Sequence, residues 1–109
     1  MTVADGDCYK VAGLACFDHG LRKDDSFRVV HGDVDGQGDL SGVRFGHAWI
    51  EVGDVVFDAS NGKATVMRSE QYYEIGGIQT PTKYTREEAI GNMSRTKTFG
   101  PWLDAKGKT

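Results

Sequence analysis

The chain lacks several features that would assign it to a function class at once. It has 109 residues with only two cysteines and two prolines, and its formal net charge is -3. Acidic and basic residues are interleaved, so no broad basic face is expected and nucleic-acid binding through phosphate neutralisation is disfavoured. No apolar run has the length that spans a bilayer, and no signal-peptide pattern is present. We therefore expect a cytoplasmic protein without nucleic-acid or membrane partners.

The spacing of the two cysteines argues against a disulfide between them. Cys8 and Cys16 are eight positions apart in one predicted helix. At a rise of 1.5 Å per residue their Cα atoms would lie about 12 Å apart, whereas bridged cysteines need about 7 Å or less. Both are expected to be free thiols, which suits a reducing compartment and leaves one available for chemistry.

Metal-binding patterns are equally sparse. His19 and His31 form no tight ligand pair with each other or with the cysteines, so no structural zinc is expected. One segment, DVDGQGDLSG, carries oxygen side chains at alternate positions like the first part of a calcium loop; these are Asp33, Asp35, Gln37, Asp39 and Ser41. Its twelfth position is Arg44 instead of a bidentate glutamate. A polar loop that borders or gates a cleft is favoured over a metal site, and we expect no cofactor.

What remains is the pattern of one small α+β domain covering residues 1–109, with a core at about 6–60 and a C-terminal helix and tail at about 84–104. Hydrophobic residues make up 39% of the chain. Asp7 is a candidate N-cap for a helix from Cys8 to Asp18, packed on an antiparallel sheet of three to five strands. The predicted strands are Phe27–Val34, Val43–Val52, Val55–Asp58 and a short one at Lys63–Met67.

The second half shows helix and turn signals. Asn61-Gly62 marks a turn, and Ser69 is a candidate cap for a brief helix through Tyr73. The segment TREE is a capping box, which predicts a helix from Arg86 to Arg95. The segment FGPW is interpreted as a docked tail and DAKGKT as a frayed end. The aromatic residues of this half are expected to pack it, namely Tyr72, Tyr73, Tyr84 and Trp102.

The strand Val43–Val52 alternates, and one of its faces carries His47 and Trp49 together with Phe45 and Glu51. Gly53-Asp54 suits a two-residue hairpin turn. If the turn pairs Val52 with Val55, Trp49 falls opposite Asp58. His47 then lies one diagonal step from Asp58 on the same face, within reach of its side chain.

Cys8 could turn this pair into a catalytic site. The positive end of a helix dipole favours a thiolate, and unpaired N–H groups of the first turn can bind an oxyanion. A cysteine nucleophile also needs a base held in one tautomer by an acceptor, roles that His47 and Asp58 can fill. Taken alone, a cysteine on an apolar helix face is more often a core residue, as expected for Cys16. The ordered combination favours a catalytic triad.

Three segments in this order resemble the transglutaminase-like core of the papain-type superfamily. They are GDCYKVAGLA at residues 6–15, FRVVHGDVDG at residues 27–36 and HAWIEVGDVVFDAS at residues 47–60. The resemblance implies a thiol enzyme that attacks a peptide or protein amide and forms a thioester. It implies that Cys8 is the nucleophile, His47 the general base and acid, and Asp58 the residue that orients His47. The upstream residue that often completes the oxyanion hole has no recognisable counterpart.

Several alternatives stay open at this stage. The family includes peptidases, deamidases, transglutaminases and inactive scaffolds, so a catalytically silent binding module is the main competitor. Papain-like cell-wall endopeptidases come next, although their motif continues with serine and glycine where this chain has Tyr9 and Lys10. Trp49, as a partly buried wall, and Tyr9 are assigned to the substrate cleft. Specificity is expected in the loops Asp35–Gly42 and Gln79–Thr85, and the oligomeric state is open.

Overall fold

One antiparallel sheet organises the chain in this computed structural model, which describes residues 7–18, 25–36, 38–59 and 64–102. Its strands are β1 (Phe27–Asp35), β2 (Arg44–Val52), β3 (Val55–Asp58), β4 (Thr65–Arg68) and β5 (Thr82–Thr85). Their spatial order is β4-β3-β2-β1-β5. The α-helices are α1 (Asp7–Leu14), α2 (Ser69–Gly76) and α3 (Arg86–Thr96). The predicted class, an α+β fold with an N-terminal helix packed on an antiparallel sheet, is confirmed.

The two faces of the sheet carry separate cores, because alternate residues of each strand point to opposite sides. One face packs against α1 and α3 through buried side chains that include Cys16, Phe27, Val29, Ile50 and Tyr84. The other face packs against α2 through Val30, Val34, Trp49, Val56 and Ile78. The predicted division of β2 into two faces is therefore confirmed, and His47 and Trp49 lie on the α2 side.

The predicted hairpin between β2 and β3 is present. Gly53 adopts a positive φ of 62°, which the turn requires and which glycine tolerates without strain. Val52 pairs with Val55 as predicted, but the ladder ends at Ile50 and Phe57. The predicted pairing of Trp49 with Asp58 is thus not made, because β2 and β3 separate one residue pair earlier. The candidate site lies at this open end.

The capping box of α3 is also present. The Thr85 hydroxyl accepts a hydrogen bond from the Glu88 amide at 3.1 Å, and the Glu88 carboxylate accepts one from the Thr85 amide at 2.9 Å. The docked tail is confirmed by Trp102, which is buried and donates its indole hydrogen to the Thr98 carbonyl at 3.0 Å.

Several predicted boundaries are corrected. Asp7 is the first residue of α1, and β4 covers Thr65–Arg68, so it starts two residues later than predicted. Ser69 is not a cap: it is the first residue of α2, and its amide donates to the Asp54 carbonyl at 2.8 Å. The predicted turn at 61–62 and the predicted frayed end at 104–109 lie outside the described residues.

One predicted helix is longer in the structure, and one predicted loop contains a strand. The helix predicted to end at Tyr73 continues to Gly76 and stops at Gly77, which has a positive φ of 61°. The segment Gln79–Thr85, predicted to be a specificity loop, contains β5, which pairs with β1 at the sheet edge.

In the candidate calcium segment, Asp35 forms an ion pair with Arg44. The Arg44 guanidinium donates to the Asp35 carboxylate at 2.8 Å and to the Gly77 carbonyl at 3.0 Å. No group of three or more metal-ligating side chains occurs among the described residues. Across all the residues that the structure describes, no helix combines the length and the apolar character needed to cross a membrane.

Candidate active site

The site is built around a buried contact between the two strands of the hairpin. The His47 Nε2 atom lies 2.8 Å from the Asp58 Oδ2 atom, and the two side chains are 11% and 13% exposed. They meet beyond the Ile50–Phe57 pair, where the ladder between β2 and β3 ends. The predicted same-face contact of His47 and Asp58 is confirmed.

Cys8 joins this pair from α1. It is the second residue of the helix and is 5% exposed. Its thiol forms a side-chain hydrogen bond with His47. Since Asp58 occupies Nε2, Nδ1 is the ring nitrogen that remains for Cys8. The structure therefore brings together Cys8, His47 and Asp58, the three residues predicted from the sequence.

The surroundings of His47 favour its protonated form. Burial alone would lower its pKa, because a charged ring loses contact with water. The hydrogen bonds and negative charges of Asp58 and Cys8 act in the opposite direction and outweigh burial, raising the pKa of His47 to about 9. At neutral pH the site thus favours a protonated imidazole ring at His47.

Tyr72 is a member of this site that sequence reasoning missed. Its hydroxyl, carried by α2, donates to the Asp58 Oδ2 atom at 2.6 Å. Burial, followed by the negative charge of Asp58, raises the pKa of Tyr72 far above the usual value for a phenol. The side chain therefore stays protonated and remains a donor. Its position in a short helix beside the hairpin was the available signal, but the facing partner depends on how α2 packs.

A second carboxylate, that of Glu51, is buried beside the triad. Glu51 is 3% exposed and accepts hydrogen bonds from Trp49 Nε1 at 2.9 Å and from the Tyr73 hydroxyl. Lys83 Nζ lies 3.2 Å from its other oxygen. Its charge is therefore compensated, as a buried carboxylate requires.

Trp49 differs from the partly buried wall predicted for it. It is 1% exposed, because α2 covers this face of the sheet. Its ring centroid is 5.9 Å from that of His47 and 5.2 Å from that of Tyr72. Trp49 thus supports the site from within and presents almost no surface to a substrate.

Tyr9, the other residue assigned to the cleft, lies on the opposite side of β2. A Cβ atom at Gly46 would come within 2.8 Å of its hydroxyl, so the close approach of this side chain to the strand needs glycine there. Burial raises the pKa of Tyr9 to about 12. Its half-buried ring stands edge-on to His31, with centroids 4.8 Å apart. Tyr9 therefore packs on the face of the sheet opposite His47 and is partly accessible.

An open pocket of about 400 Å³ extends from the site between α1 and the hairpin. Asp58 and Asp18 both line it. The walls between them are mainly apolar and include Val11, Ala15, Ile50 and Phe57. The pocket thus places an apolar surface beside Asp58, whereas Cys8 and His47 do not line it.

Comparison with known proteins gives no family assignment. No protein-family model, no curated protein and no solved structure matches the chain. The resemblance to the transglutaminase-like core stays a prediction that depends on the quoted segments.

Proposed function

We propose that the protein is a thiol enzyme that cleaves an amide bond through Cys8, His47 and Asp58. One observation supports this most strongly: His47 is hydrogen-bonded to Asp58 at 2.8 Å on one side and to the Cys8 thiol on the other. A nucleophile, a base and an orienting acceptor in this order form the arrangement that activates a cysteine.

The reaction follows from the positions of these groups. The Cys8 thiolate attacks the carbonyl carbon, and the C=O electron pair moves onto oxygen. The backbone N–H of Cys8 lies in the first turn of α1, where amides lack an intrahelical acceptor, and in this proposal it stabilises that oxyanion. Protonated His47 then gives its proton to the nitrogen, the C–N bond breaks and a thioester remains.

A second half-reaction restores the enzyme. A water molecule loses a proton to His47 and attacks the thioester, which releases a carboxylic acid and the Cys8 thiolate. An amine in place of water would give a new amide instead. A peptidase or amidase acting on a peptide or protein substrate is the form of this proposal that needs no second substrate.

A catalytically silent binding module is the second candidate. The observation that favours it is the limited exposure of the triad, since Cys8 and His47, counted as whole residues, are 5% and 9% exposed. Side chains so enclosed also arise in a packed core that has no substrate. The two candidates differ in whether a substrate can reach Cys8 from the neighbouring pocket.

A cytoplasmic location belongs to the same proposal. Cys8 and Cys16, both in the described part of the chain, form no disulfide, and a nucleophilic thiol has to stay reduced to act. A reducing compartment maintains that state.

The direct test is acyl-enzyme formation and turnover. The protein is incubated with a panel of peptide, glutamine and isopeptide amides and with peptide thioesters or activated esters, and intact mass is measured during the reaction. We expect an adduct on Cys8 and release of the amine. Cys8→Ala should abolish both, whereas Cys16→Ala, the matched control in the same helical region, should retain them. Adduct formation unaffected by Cys8→Ala, or no adduct and no turnover with any acyl donor, would support the silent module.

A further inference from the structure

Two adjacent tyrosines of α2 reach two different carboxylates. The Tyr72 hydroxyl donates to Asp58, and the Tyr73 hydroxyl donates to Glu51. The aromatic rings of both tyrosines also pack against Trp49, with centroid separations of 5.2 Å and 6.4 Å. The two residues therefore share a helix and a packing partner but differ in the carboxylate that each one binds.

The oxygen that Tyr72 binds is the one that holds His47. Asp58 Oδ2 lies 2.6 Å from the Tyr72 hydroxyl and 2.8 Å from His47 Nε2. Both donors draw on the negative charge of the same oxygen. A hydrogen bond to a carboxylate stabilises its charge and reduces its attraction for another donor. The attraction between Asp58 and protonated His47 is thus weaker with Tyr72 present than without it.

We infer that Tyr72 is a positioning residue that fixes Asp58 and limits its hold on protonated His47, so that His47 can release its proton to the leaving nitrogen. This inference rests on the proposed function for its catalytic meaning. The hydrogen-bond arrangement itself is independent of turnover. A histidine held too firmly as imidazolium would be a poor general acid in the first half-reaction.

The other charged groups around this contact do not replace Tyr72. Cys8 from α1 faces His47, and Cys8 and Glu51 both act on Tyr72 as negative charges. Glu51 has its own cation, Lys83, at 3.2 Å. Removing the Tyr72 hydroxyl therefore takes a hydrogen bond from the Asp58 carboxylate, and removing the Tyr73 hydroxyl takes one from the Glu51 carboxylate.

The test compares Tyr72→Phe with Tyr73→Phe, which is the matched control. Each variant loses one partly buried hydroxyl from α2 and keeps the ring that packs on Trp49. The titration of the His47 ring is followed by NMR in each protein. We expect Tyr72→Phe to move the titration midpoint to higher pH by about half a unit or more, and Tyr73→Phe to move it by less than about 0.2 unit.

A second variant keeps the hydrogen bond and strengthens it. Replacing Tyr72 by 3-fluorotyrosine makes the hydroxyl a better donor, so the His47 midpoint should move to lower pH. A purely structural role for Tyr72 predicts no such opposite shifts. This variant also maintains the test if Tyr72→Phe fails to fold. An unchanged His47 midpoint in the fluorinated protein, a downward shift in Tyr72→Phe, or equal shifts in the two phenylalanine variants would overturn the inference.

Turnover gives a separate readout. If the proposed function holds, Tyr72→Phe should lower kcat about threefold or more and leave KM close to its starting value. A shifted His47 midpoint in a protein that cleaves no amide would contradict the proposed function and leave the hydrogen-bond role of Tyr72 in place. An active enzyme with an unshifted midpoint would contradict the role of Tyr72 alone.

Discussion

At the residue scale, the surroundings of two buried histidines shift their pKa values in opposite directions. His47 has negative partners, and they raise its pKa to about 9 despite burial. His31 has none of these, and burial lowers its pKa to about 4. Its Nε2 atom has no hydrogen-bond partner in the part of the chain that the structure describes. Its ring lies among those of Tyr9, Tyr84 and Trp102. A sequence shows two strand histidines, and only the structure separates a charged one from a neutral one.

Asp58→Asn should lower the pKa of His47. The substitution removes the negative charge that opposes burial, so the midpoint should fall from about 9 toward or below the ordinary value of 6.5. An NMR pH titration of His47 measures this directly. Because folding raises this pKa, His47 contributes stability that is present below about pH 6.5 and lost as pH rises through about 9. The stability deficit of Asp58→Asn should therefore be larger at pH 6 than at pH 9.5, and an equal deficit at both pH values would contradict the ion pair.

His31→Phe should protect the protein against acid. Folding lowers the pKa of His31, so its contribution to stability is present above about pH 6.5 and lost as pH falls toward 4. Between pH 7 and pH 4 the unmodified protein should lose on the order of 2 to 3 kcal/mol more free energy of unfolding than the variant. Urea unfolding at the two pH values measures this difference. Parallel losses in the two proteins would show that His31 is not held neutral.

At the element scale, the structures that depend on residues close in sequence were predicted better than those that depend on tertiary packing. The hairpin turn at Gly53, the alternation of β2 and the capping box at Thr85 depend on residues close in sequence, and all three are present. The strand β5 has only four residues, TKYT, and is stabilised by pairing with β1, more than fifty residues earlier. No local pattern distinguishes such a segment from a loop. The partner of Tyr72 was missed for the same reason.

Thr85→Ala should destabilise the protein by about 1 kcal/mol, because the amide of Glu88 loses its acceptor at the start of α3. Thr82→Ala is the matched control, since Thr82 lies in the same strand β5 and precedes no helix. The control should change stability by less than about 0.5 kcal/mol. Urea unfolding of both variants checks the difference, and equal effects would show that the cap contributes nothing.

Two helix glycines should respond oppositely to alanine. At Gly91 in α3 a Cβ atom meets nothing within 4 Å, so Gly91→Ala should stabilise the protein by about 0.5 to 1 kcal/mol through helix propensity. At Gly13 in α1 a Cβ atom would lie 2.9 Å from Phe99 and 3.0 Å from Met93. Gly13→Ala should destabilise it by about 1 kcal/mol, since overpacking outweighs propensity. Thermal unfolding of the two variants measures both signs, and stabilisation by Gly13→Ala would contradict the packing of α1 on the tail.

At the scale of the whole molecule, the site exists only because four elements meet. Cys8 comes from α1, His47 from β2, Asp58 from β3 and Tyr72 from α2. The hairpin alone predicted the contact of His47 with Asp58, since the two strands are joined by a short turn. The contact of Cys8 with His47 spans most of the N-terminal half, and only the resemblance and the order of residue types pointed to it. The fourth member required the tertiary structure.

The activation of Cys8 by His47 is tested most directly by alkylation with iodoacetamide at pH 6.5, quantified by peptide mass spectrometry. Cys16 is 0% exposed, so a comparison between the two thiols reports burial as well as activation. The decisive comparison is Cys8 in the unmodified protein against Cys8 in His47→Ala, with His31→Phe as the control at the other buried histidine. We expect alkylation of Cys8 to slow by about tenfold or more in His47→Ala and to stay unchanged in His31→Phe. Equal rates for Cys8 in the unmodified protein and in His47→Ala would contradict the activation of this thiol by His47 and, with it, the proposed enzyme.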